Sequence, residues 1–163
     1  QVAGVTADEI RAAMLSFGGV DRRFDFHVRR DDMVYISDYA HHPEEIKQSI
    51  LSIRQLYEGR RIRAIFQPHL YSRTRDFYKD FADALSLLDD VVICDIYPAR
   101  EEPIPGVTSQ LIFDNLRPDI QKQICKKEDI LKHVNKNEFD VLVTLGAGDI
   151  ENYAQDITNM LSL

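Results

Sequence analysis

Short apolar runs that alternate with helical segments constrain the fold of this chain more than any other feature. Residues 62–66, 90–96 and 139–145 are such runs, and each precedes a segment whose apolar residues recur at helical spacing. A strand that is apolar throughout is buried on both faces, so helices have to cover both sides of its sheet. The pattern therefore predicts an α/β fold with a mostly parallel sheet and helices on both faces.

The N-terminal part has a different pattern, which predicts a helix followed by a hairpin. Thr6 and Glu9 have the spacing of a capping box, and two glycines at 18–19 are expected to end the helix. Residues 22–30 alternate apolar and polar side chains, and residues 33–37 form a second strand-like run after a short turn. We expect these two strands to pair as an antiparallel hairpin near the N-terminus.

Length, charge and cysteine content limit the possible partners. A chain of 163 residues fits one domain, so residues 1–163 are expected to form a single unit, with residues 1 to about 8 as a linker from a preceding domain. The formal net charge of -7 argues against nucleic acid or an anionic membrane as a partner, since both need a basic face. No apolar run has the length of a membrane span, and Cys94 and Cys125 have neither metal-like nor redox-like spacing. We therefore expect a cytoplasmic protein in which Cys94 is a buried structural thiol.

Polar segments with unusual side chains follow four of the predicted strands. They are SDYAHHP (37–43), QPHLYSRTR (67–75), YPAREEPIPG (97–106) and GAGD (146–149). In an open parallel sheet, ligands bind beyond the carboxyl ends of the strands, so four such segments indicate one shared site. Taken alone, each segment could be an ordinary polar loop, and the short glycine loop is a weak signal by itself.

Two arginines near the predicted start of one helix indicate an anion site. At that position the cations Arg73 and Arg75 oppose the helix dipole, which makes them a poor choice for stability alone. An arginine beside free helical N–H groups is favourable if an anion docks there. The alternative is that these arginines pair on the surface with Asp76, Asp80 or Glu45.

The histidines raise the question of a metal. His41, His42 and His69 could supply three nitrogens, but adjacent histidines usually point apart and no H-x-x-x-H pair is present, so we expect no metal site formed by this chain alone. Two hypotheses stay open: a metal-dependent hydrolase that uses Asp38, His41 and His69, and a free-standing nucleotide-binding module. The chain contains no G-x-x-x-x-G-K-[ST] motif, which argues against an ATPase that is complete in itself.

The same four segments, in the same order, resemble motifs of the C-terminal domain of the Mur ligases. The motifs are DYAHHP, FQPH-YSRTRD, YPA-E-PI-G and GAGDI, and the resemblance extends from about Gly18 to the last helix. DYAHHP is shared across the family, whereas FQPH-YSRTRD together with YPA-E-PI-G is similar to the members that add alanine. The related members that reattach recycled peptides are similar around AHHP and differ in the later motifs.

The resemblance implies a Rossmann-like α/β domain that is the last of three. The first domain would bind the UDP-sugar, and the central one would hold the P-loop, Mg²⁺ and most of the ATP site. The third would close over the centre and complete the ATP and amino-acid sites. The implied reaction joins L-alanine to UDP-N-acetylmuramate with ATP through an acyl phosphate, which a closed lid protects from water. This chain alone would then be inactive.

The resemblance also implies roles for individual residues. Asp38 would accept hydrogen bonds from the ATP ribose, Arg23 would lie at the nucleotide, and His41 would approach the phosphates or the amino acid. His69 and Arg73 would hold the alanine carboxylate. We therefore expect catalytic roles for His41, His69 and Arg73, and nucleotide contacts for Arg23, Asp38 and His41, which their charges and hydrogen-bonding groups allow.

Overall fold

The structure, a computed structural model, describes residues 4–17 and 19–163. Its strands are β1 (Asp25–Arg29), β2 (Val34–Asp38), β3 (Ile62–Phe66), β4 (Asp90–Cys94), β5 (Gln121–Cys125) and β6 (Val141–Leu145). Its α-helices are α1 (Ala7–Ser16), α2 (Pro43–Leu56), α3 (Tyr71–Leu85), α4 (Gln110–Asn115) and α5 (Ala154–Ser162). Two 3₁₀ helices cover Lys127–His133 and Asp149–Tyr153. No helix in the described ranges is both long and apolar enough to cross a membrane.

These strands form one sheet in the order β1-β2-β6-β3-β4-β5. β1 is antiparallel to β2, and every other neighbouring pair is parallel, so the expected hairpin and the mostly parallel sheet are confirmed. β6 lies between β2 and β3, in a register that aligns Asp38, Leu145 and Phe66 at the carboxyl ends of the three strands. The loops that follow these strands therefore leave the sheet at the same edge.

Helices cover both faces of the sheet, as the apolar strands predict. One face packs against α2, α3 and α4 through fully buried residues such as Ile46, Phe81 and Ile112. The other face packs against α5 and the 3₁₀ helices through residues such as Ile130 and Ile157. Burying one such side chain contributes about 1.5–3 kcal/mol relative to leaving it in water, so both layers stabilise the sheet.

The first helix is formed by local interactions without burial of its side chains. Thr6 Oγ1 accepts a hydrogen bond from Glu9 N (3.3 Å), and Glu9 Oε2 accepts one from Thr6 N (2.8 Å), which is the expected capping box. α1 ends at Ser16 and buries none of its residues. Residues 1–3, part of the expected linker, and residue 18, one of the two glycines expected to end the helix, lie outside the described residues.

The two cysteines are closer in space than their sequence positions indicate. Cys94 and Cys125 lie opposite each other at the ends of β4 and β5, with their Sγ atoms 3.7 Å apart. Both are buried free thiols, so Cys94 is the buried thiol that the sequence predicts. The contact between the two thiols depends on the pairing of β4 with β5, which their spacing in the sequence does not reveal.

A buried ion pair fastens β3 to β4. Arg63 is 1% exposed, and its Nε donates to Oδ2 of the fully buried Asp90 (2.9 Å). Arg63 Nη1 donates to the carbonyl of His133 (2.8 Å), and Nη2 lies 2.7 Å from Glu138 Oε2. The segment that ends at His133 is a 3₁₀ helix that this arginine holds against the sheet. Removing Arg63 would leave a buried carboxylate without its partner.

Candidate functional site

The four polar segments come together at the carboxyl edge of the sheet. The loop after β6 meets the end of β2, because Gly146 N donates to the carbonyl of Asp38 (3.2 Å). The loop after β4 meets the end of β3 in the same way, because Tyr97 N donates to the carbonyl of Pro68 (2.8 Å). The structure thus assembles the segments that the sequence placed at separate strand ends.

The glycine loop after β6 is shaped by its neighbours in the protein. A Cβ added at Gly148 would lie 2.3 Å from Gln67 Oε1 and 2.8 Å from Tyr97 Cγ, and Gly146 has a φ of +145°. Gln67 is buried, and its Nε2 donates to Asp149 Oδ1 (2.7 Å). The two glycines therefore allow close packing against Gln67 and Tyr97, and this packing joins the β6 loop to the end of β3.

A cleft of about 280 Å³ contains the three residues expected at the nucleotide. Its lining consists of Arg23, Phe24, Asp38, Tyr39, Ala40, His41 and Glu45. Asp38 Oδ1 accepts a hydrogen bond from Ala40 N (3.2 Å), and Oδ2 accepts one from Ser49 Oγ (2.7 Å). A carboxylate has about four acceptor positions, so Asp38 keeps capacity for hydroxyl groups in the cleft.

Asp38 does not cap the helix that follows it. α2 begins at Pro43 with His42 as its N-cap, and Glu45 Oε2 accepts hydrogen bonds from the backbone N–H groups of His41 and His42 (3.1 Å each). Partial burial alone would raise the pKa of Glu45, but these two bonds lower it below its usual value. Glu45 thus accepts hydrogen bonds from the N–H groups at the helix start. The Asp38 carboxylate is not used for capping and lines the cleft.

His41 and His69 bring two of the polar segments into contact. Their ring centroids are 5.9 Å apart in an edge-to-face arrangement. His41 Nδ1 lies 3.0 Å from the carbonyl of Tyr39, which can only accept, so Nδ1 carries a proton and Nε2 of the neutral ring is an acceptor. His69 Nδ1 lies 3.3 Å from Arg73 Nη1, which can only donate, so Nδ1 accepts and Nε2 carries the proton. Burial, followed by the charge of Arg73, lowers the pKa of His69 below its usual value, so this ring is neutral at pH 7.

The third histidine of the sequence lies apart from the other two. The ring of His42 packs against Phe77, with a centroid distance of 5.1 Å. Within the described residues, no group of three or more His, Cys, Asp or Glu side chains is placed to hold a metal ion. The three imidazoles therefore do not converge on a common point.

Arg73 lies in the first turn of α3, where the sequence predicts it. In the part of the chain that the structure describes, its polar contact is with His69, and no carboxylate is within salt-bridge distance. Asp76, one of its expected surface partners, pairs instead with Arg75, whose Nε lies 2.7 Å from Asp76 Oδ1. Of the two arginines, Arg73 is thus the one that contacts another candidate site residue, His69.

A carboxylate to which the sequence analysis assigned no role occupies the start of α3. Glu101 Oε2 accepts a hydrogen bond from Ser72 N (2.9 Å), and Oε1 accepts one from the Ser72 hydroxyl. These bonds hold the pKa of Glu101 below its usual value. The N–H group of Ser72 is therefore already occupied by an anion from the chain itself. The signals in the sequence are the position of Glu101 in the polar loop after β4 and its place in the motif YPA-E-PI-G.

Fold and site together define an α/β domain whose candidate site lies at the carboxyl edge of its sheet. Residues 22–149 match the family model described as Mur ligase, glutamate ligase domain. The match extends over the whole sheet and its four polar segments, and the chain therefore belongs to the Mur ligase family.

Individual relatives carry more specific names. The UDP-N-acetylmuramate–L-alanine ligase of Phocaeicola vulgatus is 63% identical over 162 residues, which cover 99% of this chain and 35% of that protein. The crystal structure of UDP-N-acetylmuramate–alanine ligase from Thermotoga maritima matches 98% of this chain and 34% of its own, with a TM-score of 0.77 and 27% identity. A murein peptide ligase from Psychrobacter arcticus matches 97% of this chain and 33% of its own, with a TM-score of 0.68 and 24% identity, which shows similarity of fold alone. The chain spans about a third of the length of each of these proteins.

Proposed function

We propose that residues 1–163 are the C-terminal domain of a cytoplasmic ligase that joins L-alanine to UDP-N-acetylmuramate with hydrolysis of ATP. The observation that carries the proposal is the 63% identity over 162 residues to the Phocaeicola vulgatus ligase. Two preceding domains of the same protein would complete the enzyme, because this chain spans about a third of that relative. The remaining domains, the UDP-sugar, L-alanine and ATP are then the partners of the site.

The cleft beside Asp38 is the proposed contact with the nucleotide. Asp38 accepts hydrogen bonds from the ribose hydroxyls with the acceptor positions that Ala40 and Ser49 leave open. Arg23, on the wall of the same cleft, supplies positive charge for the nucleotide. A volume of about 280 Å³ is too small for a whole nucleoside triphosphate, so the rest of the ATP lies against the preceding domain.

The proposed alanine contacts are His69 and Arg73. Arg73 offers a guanidinium that no carboxylate of the described residues occupies, and His69 offers the N–H of its neutral ring. Together they bind the alanine carboxylate and leave its amine free to react. His41 keeps Nε2 for the phosphates or for the amino group, since its Nδ1 donates to the carbonyl of Tyr39. Closure of this edge over the reacting carboxylate keeps water from the acyl phosphate.

Mg²⁺ accompanies ATP in a ligase of this kind, and we assign it mainly to the preceding central domain. The described residues of this chain contain no group of three or more carboxylates, histidines or thiols placed to hold a metal ion. The residues of this chain act by binding and orienting the nucleotide and the amino acid and by excluding water.

The proposal is tested by phosphate release from the full-length protein that contains this chain. The mixture contains ATP, Mg²⁺ and UDP-N-acetylmuramate, with L-alanine, with an alanine-containing peptide, or with neither. We expect phosphate release that depends on free L-alanine and a product whose mass equals the alanine adduct. Release that requires the peptide and ignores alanine would identify a recycling ligase instead. The 163-residue chain alone should release no phosphate above a protein-free blank.

A further inference from the structure

The loop after β4 holds the start of α3 at two points, one at Tyr97 and one at Glu101. At the first point, Tyr97 N donates to the carbonyl of Pro68 (2.8 Å), and Leu70 N donates to the carbonyl of Tyr97 (2.9 Å). The ring of Tyr97 also stacks on His69, with centroids 5.6 Å apart and planes inclined by 26°. The segment that carries the proposed alanine contacts is therefore fixed by a loop from the neighbouring strand.

At the second point, Glu101 replaces a cap that α3 lacks. The N-cap residue is Leu70, which has a φ of +75° and makes no side-chain cap bond. An apolar side chain cannot accept a hydrogen bond, and a positive φ is unfavourable for leucine. Glu101, 29 residues beyond Ser72, binds both the N–H and the hydroxyl of Ser72. A negative charge at a helix N-terminus is favourable, so Glu101 stabilises a helix start that its own sequence leaves uncapped.

We infer that Glu101 is a positioning residue for the alanine site: by binding Ser72 it fixes the first turn of α3 and so sets the direction of Arg73. The inference rests on the proposed function, in which Arg73 binds the alanine carboxylate. Arg73 follows Ser72 directly, and its guanidinium contacts His69 but no carboxylate of the described residues. Its direction therefore depends on that contact and on the backbone that Glu101 fixes. Glu101 acts through Ser72 and not on alanine, since two carboxylates repel each other.

The test is Glu101→Gln in the full-length ligase, because glutamine keeps the size of the side chain and removes its charge. We expect the KM for L-alanine to rise about tenfold, the loss of roughly one charged hydrogen bond, with kcat and the KM for ATP within twofold of wild type. Glu102→Gln changes the neighbouring exposed carboxylate and should behave as wild type. Ser72→Ala removes the hydroxyl bond to Glu101 and keeps the backbone bond, so it should raise the alanine KM in the same direction but by less. The double variant should be no worse than Glu101→Gln alone, because both changes act on one contact.

Two results would overturn the inference. One is an alanine KM within twofold of wild type in both Glu101→Gln and Ser72→Ala. The other is an equal rise of the KM for ATP and the KM for alanine, which would indicate general damage to the fold. If Glu101→Gln does not fold, as judged by its melting temperature, Ser72→Ala carries the test.

The outcomes separate this inference from the proposed function. A wild-type ligase that ignores alanine refutes the proposed function. A wild-type ligase that uses alanine, together with an unchanged alanine KM in both Glu101→Gln and Ser72→Ala, refutes the role of Glu101 alone.

Discussion

Replacing Arg73 is the most direct perturbation of the proposed alanine site. Besides the amine that has to react, the carboxylate is the only polar group of alanine that the enzyme can bind. A guanidinium binds a carboxylate with two parallel hydrogen bonds, and each charged hydrogen bond contributes roughly 1.5–3 kcal/mol. Arg73→Ala in the full-length ligase should therefore lose at least about 3 kcal/mol, or more than a hundredfold in kcat/KM for L-alanine.

The structure also predicts what should not change. Arg73 makes no salt bridge with the described residues, so its replacement should shift the free energy of unfolding by less than about 0.5 kcal/mol. Arg73→Lys keeps the charge but not the two-pronged geometry, so it should recover only part of the loss. Arg75 is the matched control: it is exposed and paired with Asp76, and Arg75→Ala should leave alanine kinetics unchanged.

Steady-state kinetics, with each substrate varied in turn, test whether Arg73 binds alanine. The KM values for ATP and for the UDP-sugar should stay within about twofold of wild type, because Arg73 is assigned to neither. If kcat/KM for alanine in Arg73→Ala is within about twofold of wild type, Arg73 does not bind alanine. The same conclusion would follow if Arg75→Ala had the larger effect.

Asp38→Ala in the full-length ligase should raise the KM for ATP about ten- to a hundredfold, since charged hydrogen bonds to hydroxyls contribute roughly 1.5–3 kcal/mol. Ser49→Ala loses the same internal bond but keeps the carboxylate, and an equal effect from it would contradict a ribose contact. Arg63→Ala should lower the free energy of unfolding, measured with urea, by about 3–5 kcal/mol, because Asp90 stays buried without its partner; a change below 1 kcal/mol would contradict this. Lowering the pH below about 6.5 should destabilise the chain through His69, because burial lowers its pKa and the unfolded chain takes up the proton first. The loss of stability at low pH should be smaller in His69→Asn, and an unchanged pH dependence would exclude His69 as its cause.

The regular elements of this fold can be predicted from the sequence because their signals are local. Apolar runs of strand length identify β3, β4 and β6 without reference to any other part of the chain. Thr6 and Glu9 form their capping box three residues apart, and Pro43 begins α2 because its fixed φ and missing N–H suit the first helical position. Each of these features depends on neighbours within one or two turns.

Contacts between distant segments are where prediction from the sequence fails. The position of β6 between β2 and β3 cannot be read from strand patterns, because β6 is the last strand in the chain. The contact between Cys94 and Cys125 follows from the pairing of β4 with β5, so spacing in the sequence carries no trace of it. The 3₁₀ geometry of Lys127–His133 is also invisible, since a segment of this length has apolar spacing that fits either kind of helix.

The candidate site shows the same difference between local signals and contacts of distant segments: His69 and Arg73 can be identified from the sequence, whereas the role of Glu101 cannot. His69 and Arg73 are conspicuous because a histidine after a buried strand and a cation at a helix start contribute little to stability. Glu101 is inconspicuous, because an acidic residue in a polar loop is ordinary in a chain with a net charge of -7. Its importance comes from Ser72, 29 residues away, which only the fold brings within reach.

The order of the strands divides the site into two halves that different residues should control. The cleft with Asp38 is built from the segments around β1, β2 and the start of α2, whereas Arg73 and Glu101 come from the segments after β3 and β4. β6 lies between these halves, and its glycine loop packs against both strand ends. His41 and His69 are the side chains that meet across the division, 5.9 Å apart. Changes at Asp38 should therefore act on ATP and changes at Arg73 on alanine, with additive losses since the two share no partner.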